Sequence, residues 1–142
     1  MSDETEMKEE LFVGKVFTDR KLWLGSMLGG PLVAGYIIYK NFQVFKESGK
    51  AKITIIISIL FTIVLFAFIP VITENINVPN QLIPLLYTGI AWGLLKSLQG
   101  NNIEKHINNG GQLIGWGNTF IVSILGLIIT LVPVLILYMI LL

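Results

Sequence analysis

The sequence has no cysteine, only one histidine, and few charged residues for its length. Without cysteine the chain forms no disulfide and has no thiolate for catalysis or for binding a metal. A metal site needs three or four ligands, and no second imidazole exists to join His106. Charged residues make up 13% of the 142 residues, whereas they make up about a quarter of a typical soluble domain. We therefore expect no metal and no cofactor.

Basic residues are also too few to form a surface for nucleic acid. Ten basic residues stand against nine acidic ones, which gives a formal net charge of +1, so we expect no nucleic-acid partner. Hydrophobic residues make up 54% of the chain, and the mean hydropathy is +0.75. Folded as a soluble globule, such a chain would expose mostly hydrocarbon to water. The lipid bilayer is therefore the expected partner.

Four long apolar runs predict an all-α membrane protein with four transmembrane helices in an antiparallel bundle. The predicted spans cover about 20–40, 53–72, 79–98 and 119–142 of a transmembrane domain over residues 18–142. Residues 1–17, which begin with an acidic stretch unlike a cleavable signal peptide, form a polar and interfacial tail. In the third loop, Asn102 as N-cap and Gly110 with Gly111 as helix end predict a short interfacial helix.

Small residues recur at steps of four in the first and third spans, and they predict close helix packing. We expect the first helix to be the packing hub of the bundle, with a bend at Gly29-Gly30-Pro31. Whether these residues pack within one chain or between copies is open, and the expected partner is either a second copy, which gives a homo-oligomer, or a larger membrane protein. The predicted packing residues are Gly25, Ser26, Gly29, Gly30, Ala34, Gly89 and Gly93.

The distribution of lysine and arginine predicts an orientation. With four crossings, six basic residues lie on the side of loops 41–52 and 99–117, and four lie on the side of the tail. Short basic loops prefer the cytoplasm. We therefore place both loops in the cytoplasm and both termini outside.

No ionisable residue lies in the apolar core of any predicted span, although chemistry inside a membrane usually requires one. We therefore predict a non-catalytic packing, assembly or accessory component. A first alternative is a small transporter or channel for an uncharged or weakly polar solute, with a path made by hydroxyl groups. Those hydroxyls belong to Ser58, Thr62, Thr88 and Ser123.

A second alternative is an interfacial lipid-handling enzyme that uses His106, which is otherwise expected to be a loop residue facing solvent or headgroups. Loops often carry function, and the third loop is rich in hydrogen-bonding side chains. Its candidate residues are Gln99, Asn102, His106, Gly110, Gly111 and Trp116.

Two groups of residues carry a resemblance to a known kind of protein. Phe17-Thr18, the run from Leu28 to Tyr36 and Lys40-Asn41-Phe42 form the first group. The second consists of Leu98-Gln99-Gly100, His106, Gly110-Gly111 and Trp116. The chain resembles small uncharacterised bacterial membrane proteins that open with LGGPLAGGY and KNF and continue with LQG, H, GG and W. This resemblance implies a location in the bacterial inner membrane, and it implies no catalytic residues.

Overall fold

The computed structural model describes residues 14–142, and the described chain is helical apart from two short strands. The expectation of an all-α fold is confirmed at this level. The part of the predicted tail before residue 14 lies outside the described residues. In chain order the elements are β1 (Lys15–Val16), α1 (Asp19–Gly29), α2 (Pro31–Val44), α3 (Ser48–Asn75), α4 (Leu82–Asn108), β2 (Gln112–Leu113) and α5 (Trp116–Leu141).

Two helices, α3 and α5, are long and apolar enough to cross a membrane. Only 6% and 11% of their most apolar stretches lie buried inside the protein. A core helix of a soluble protein would be buried on most of one face, so this exposure favours a surrounding of lipid. Both helices begin a few residues before the predicted spans. In α3 this is because Ser48 and Gly49 begin the helix instead of separating two helices, and α5 begins at Trp116.

The predicted first span is two antiparallel helices. Gly30 separates α1 from α2 with a φ of +87°, and Pro31 starts α2, where its missing N–H leaves no hydrogen bond unmade. The backbone of Phe17, just before α1, forms hydrogen bonds with the side chain of Asn41, near the end of α2. A continuous helix would place these residues about 36 Å apart. Residues 19–44 therefore form a helical hairpin with its tip at Gly30, which is a much sharper reversal than the predicted bend.

This hairpin is the centre of the fold. Each of α3, α4 and α5 packs on it, whereas the three long helices make at most marginal contact with one another. The described core is built around Leu22 of α1, Ile37 and Phe42 of α2 and Leu95 of α4, all almost fully buried. The first helical segment is thus the packing hub, as expected, but in the form of a hairpin.

The predicted break after the third span is wrong, and so is the short interfacial helix. Residues 82–108 form one helix, α4, which passes through Gly100 and contains Asn102 instead of ending and restarting there. The reason lies in packing: Gln99, Ile103 and His106 continue the buried face of α4 that begins with Thr88. The helix ends just before Gly110, which has a φ of +81°.

The strand pairing fixes which ends of the elements lie together. β1 pairs in parallel with β2, so residues 14–18 lie at the same end of the molecule as the α4–α5 connection. The far end of α5 lies at the opposite end of the molecule, because the first segment returns to the end where it starts. Four crossings would instead place residues 14–18 and the end of α5 together.

All nine described basic residues belong to segments at the end that carries β1 and β2, which we call the basic end. They are Lys15, Arg20, Lys21, Lys40, Lys46, Lys50, Lys52, Lys96 and Lys105. At the opposite end, the last turn of α3, the α3–α4 connection and the second half of α5 contain one charged residue, Glu74. Folding thus concentrates positive charge at a single end, although the sequence order divides it between two predicted sides.

Candidate functional site

Two fully buried amides connect the hairpin to α4, and we call this arrangement the amide network. Asn41 Oδ1 accepts a hydrogen bond from the backbone N–H of Phe17 at 2.8 Å, and Asn41 Nδ2 donates to the Phe17 carbonyl at 2.9 Å. The same amino group donates to Gln99 Oε1 at 3.2 Å, while Gln99 Nε2 donates to the Ile38 carbonyl at 2.9 Å. The amide of Asn41 therefore pairs with an extended backbone as a neighbouring strand would.

Helical spacing explains why both amides point into the protein. Asn41 lies on the face of α2 that buries Ala34, Ile37 and Ile38, and Gln99 lies four residues after the buried Leu95 of α4. Gln99 was a predicted candidate, but as a loop residue. Asn41 was placed in the first loop and not among the candidates, although its four-residue spacing from the apolar Ile37 could have identified it.

His106 is buried in the last turns of α4, with 2% of its surface exposed, and does not face solvent. Its Nε2 lies 2.8 Å from the carbonyl oxygen of Gln112 in β2. A Cβ atom added to Gly111 would overlap the imidazole ring, so glycine is needed where the chain crosses the ring. Gly110 and Gly111 also close the helix, since the N–H of Gly111 donates to the His106 carbonyl at 2.7 Å. His106 thus holds β2 against α4.

Lys21 makes the third connection at the basic end. Its ammonium group donates to the carbonyl of Ile114 and lies 5.6 Å from the centre of the Trp116 ring. The residue is 8% exposed although it is charged. Trp116 is the first residue of α5 and remains exposed, so its ring shields the ammonium on one side. Lys21 therefore joins the start of α1 to the start of α5.

A fourth connection lies at the surface, between Asp19 of α1 and α4. The Lys96 ammonium is 3.3 Å from the Asp19 carboxylate and 5.6 Å from the centre of the Trp92 ring. Burial raises the pKa of the Asp19 carboxyl, but the hydrogen bond and charge of Lys96 outweigh it and hold the pKa below its ordinary value. Because both side chains are partly exposed, this pair contributes little stability.

The glycines and small residues of the hairpin lie against other helices of the same chain. Gly29 lies so close to α5 that an added Cβ would come within 2.7 Å of the Ser123 carbonyl oxygen. An added Cβ at Gly25 would be 3.4 Å from Ser123 Oγ, and one at Gly35 would overlap Ser58 of α3. Ser26 accepts a hydrogen bond from Thr88 at 3.0 Å. Ala34 is buried, whereas Gly30, at the hairpin tip, has open space.

The glycines of α4, unlike those of the hairpin, do not lie against another helix. A Cβ atom added to Gly89, Gly93 or Gly100 would have no neighbouring atom within 4 Å. These positions are four and seven residues apart, so they share one face of α4. We call them the open glycine face. It is the kind of surface on which a further helix packs closely in a membrane.

Most of the hydroxyl groups on the proposed solute path form hydrogen bonds within their own helices. Ser58, Thr62 and Ser123 each donate to the carbonyl four residues earlier, at 2.7 Å, and Thr88 donates to Ser26. Each of these hydroxyls therefore has a hydrogen-bond acceptor within the protein and does not need water or a solute as its partner. Across residues 14–142, no three His, Cys, Asp or Glu side chains are grouped so that they could hold a metal ion.

Comparison with known proteins gave no match to any family model, curated protein or solved structure. The resemblance to small bacterial membrane proteins therefore stays a prediction. Its two groups of residues do meet in the fold: Asn41 and Gln99 form the amide network, and His106 and Gly111 are in contact beside it.

Proposed function

We propose that the protein is a bacterial inner-membrane protein in which α3, α4 and α5 cross the bilayer while the hairpin enters and leaves from one side. Of the 27 residues of α4, residues 82–95, before Lys96, extend about 21 Å, most of a hydrocarbon core of about 30 Å. The 11 residues of α1 extend about 16 Å, which reaches only the middle of a hydrocarbon core of about 30 Å. Three crossings and a re-entrant hairpin replace the four predicted crossings.

The basic end lies in the cytoplasm in this arrangement. Short cytoplasmic segments of membrane proteins are rich in lysine and arginine, whereas acidic residues have little influence on orientation. The nine described basic residues all belong to this end. The difference in basic charge between the two ends is therefore larger than the six residues against four that the sequence predicted for the two sides. Loops 41–52 and 99–117 stay cytoplasmic, the segment before α1 joins them, and the end of α5 lies outside.

The proposed function is that of a non-catalytic assembly or accessory component, which binds a transmembrane helix of a second copy or of a larger membrane protein. The open glycine face of α4 carries this proposal. The glycines of the hairpin at positions 25, 29 and 35 are already packed against the protein's own helices, so they are not available to a partner. Gly89 and Gly93 have the same spacing but no neighbour, and lipid chains pack less closely against glycine than another helix does.

Cross-linking of the full chain in native membranes tests this function. We expect wild-type protein to form a specific cross-linked complex, either with itself or with one recurring membrane protein. Gly89→Leu and Gly93→Leu should abolish the complex, because leucine prevents close approach of the backbones. Gly117→Leu is the matched control, since Gly117 also has open space around it but lies at the start of α5. Equal cross-linking of all three variants and the wild type would refute the proposal.

The transporter and the lipid-handling enzyme stay predictions of lower rank. Of the hydroxyls that the transporter would use, Ser58, Thr62 and Ser123 donate to carbonyls of their own helices. Thr88 donates to Ser26 of α1. His106, which the enzyme would use, is bonded to the Gln112 carbonyl and covered by Gly111.

A further inference from the structure

A groove opens sideways between α3 and α4, and its floor is α2. It encloses about 460 Å³. Ala34 and Ile38 of α2 form the floor, Ile57 of α3 and Leu94 of α4 form the walls, and the lining is almost wholly apolar. The groove exists because the hairpin is wedged between two long helices that hardly touch each other.

The groove extends from the basic end to the tip of the hairpin. Lys50 lies at one end, and Pro31, Phe61 and Tyr87 line the other. From Lys50 to Phe61 the helix α3 rises about 17 Å, close to half of a hydrocarbon core of about 30 Å. The groove is therefore about as deep as one leaflet, and it begins at the level of the lipid headgroups.

The length and lining of the groove favour a hydrocarbon chain as its occupant. The groove is about as long as one leaflet is thick, and its lining is almost wholly apolar. A transmembrane partner helix would continue past the hairpin tip through the other leaflet, whereas an acyl chain ends within its own leaflet.

The charge at the open end identifies the headgroup. The Lys50 ammonium lies 2.7 Å from the Glu47 carboxylate and 6.0 Å from the centre of the Phe42 ring, which places it directly above the apolar lining. Lys46 precedes α3, and Lys52 lies with Lys50 in the first turns of α3, so three lysines accompany one glutamate in residues 45–52. A phosphate at this level meets net positive charge.

We propose that this groove binds one acyl chain of an anionic glycerophospholipid from the cytoplasmic leaflet, with the lipid phosphate beside Lys50. The lipid fills the space that α3 and α4 leave open and holds them on the hairpin. This inference requires the hairpin to lie in the membrane, as proposed above. It does not depend on association through α4, because Gly89 and Gly93 are not part of the lining.

Native mass spectrometry of delipidated full-length protein with added lipid tests the inference. We expect one phosphatidylglycerol per chain, retained more strongly than phosphatidylcholine with the same acyl chains. Ala91→Phe places a ring in the groove and should weaken retention by about tenfold or more. Val64→Phe, an exposed position of α3 outside the groove, is the matched control and should bind as wild type does.

Two further comparisons keep the test decisive if Ala91→Phe does not fold. Lys50→Gln should lower the preference for phosphatidylglycerol by about two- to fivefold, whereas Lys52→Gln should change it less. In the wild type, a lysophosphatidylglycerol with one acyl chain should displace the bound lipid. The inference is overturned if both lipids are retained equally, if the lysolipid does not compete, or if Ala91→Phe and Val64→Phe bind alike. Since cross-linking through α4 uses other residues, a failure here is distinguishable from a failure of the proposed function.

Discussion

Replacing Asn41 with leucine removes the side chain that holds the two ends of the hairpin together. The backbone N–H and carbonyl of Phe17 and the Oε1 of Gln99 each lose a partner at a fully buried position. A buried polar group left without a hydrogen bond costs about 1–3 kcal/mol. Rotation of Gln99 relieves part of this cost, so we expect a loss of about 3–5 kcal/mol, which is large for a single substitution.

Unfolding of the full chain in mixed detergent micelles, followed by far-ultraviolet circular dichroism, measures this loss. Gln43→Leu is the matched control, because Gln43 lies on the same helix but is exposed and bonds only to the Tyr39 hydroxyl. It should change the free energy of unfolding by less than about 0.5 kcal/mol. Combined with Gln99→Leu, Asn41→Leu should show a coupling energy of about 0.5–3 kcal/mol. A loss no greater than that of Gln43→Leu would refute the role given to the amide network.

Two further predictions concern the contacts of α1. Gly29→Ala places a Cβ within 2.7 Å of the Ser123 carbonyl and should lower the free energy of unfolding by about 1–3 kcal/mol. Gly93→Ala, at a position with open space, should be neutral or stabilising by less than about 1 kcal/mol. Equal shifts in the melting temperature of the two variants would contradict the close contact between Gly29 and α5. Although burial opposes it, Lys96 holds the pKa of Asp19 below its ordinary value of 3.8 in the folded protein. The contribution of the pair should therefore be complete above about pH 4 and should disappear as the pH falls through the lowered pKa, with an amplitude below about 1 kcal/mol. Thermal unfolding measured across this pH range should lose that component in Asp19→Asn, and an unchanged acid dependence would show that another group is responsible.

The composition and the apolar runs were sufficient to predict an all-helical fold with helices long enough for a membrane. The reversal at Gly30 was not predictable from them, since an uncharged run such as residues 22–39 has the same composition whether it crosses the membrane as one helix or turns back as two. Gly29-Gly30-Pro31 indicated only that the helix is interrupted or bent there. How far the chain turns there depends on Asn41 reaching Phe17, and this contact joins residues 24 positions apart.

The residues predicted to form the third loop also depend on contacts that the sequence did not predict. Gln99, Asn102 and His106 are polar, and a polar stretch after an apolar run is typical of a loop. Here Gln99 and His106 are buried because α2 and β2 provide carbonyl partners at matching positions. The carbonyl partner of Gln99 is 61 positions away in the chain, and that of His106, six positions away, comes into reach only after the turn at Gly110 and Gly111. Residue type alone therefore favoured the surface. The glycines were easier to interpret, because their spacing indicates helix packing wherever the partner comes from.

The most direct measurement of the central claim is the accessibility of single cysteines from each side of the membrane. The chain has no cysteine of its own, so each substitution gives an unambiguous signal. With the re-entrant hairpin, Lys15→Cys, Gln43→Cys and Asn109→Cys are labelled from one side, and Asn80→Cys and Leu142→Cys are labelled from the other. If Lys15→Cys is instead labelled together with Asn80→Cys and Leu142→Cys, residues 19–44 cross the membrane and the account is wrong.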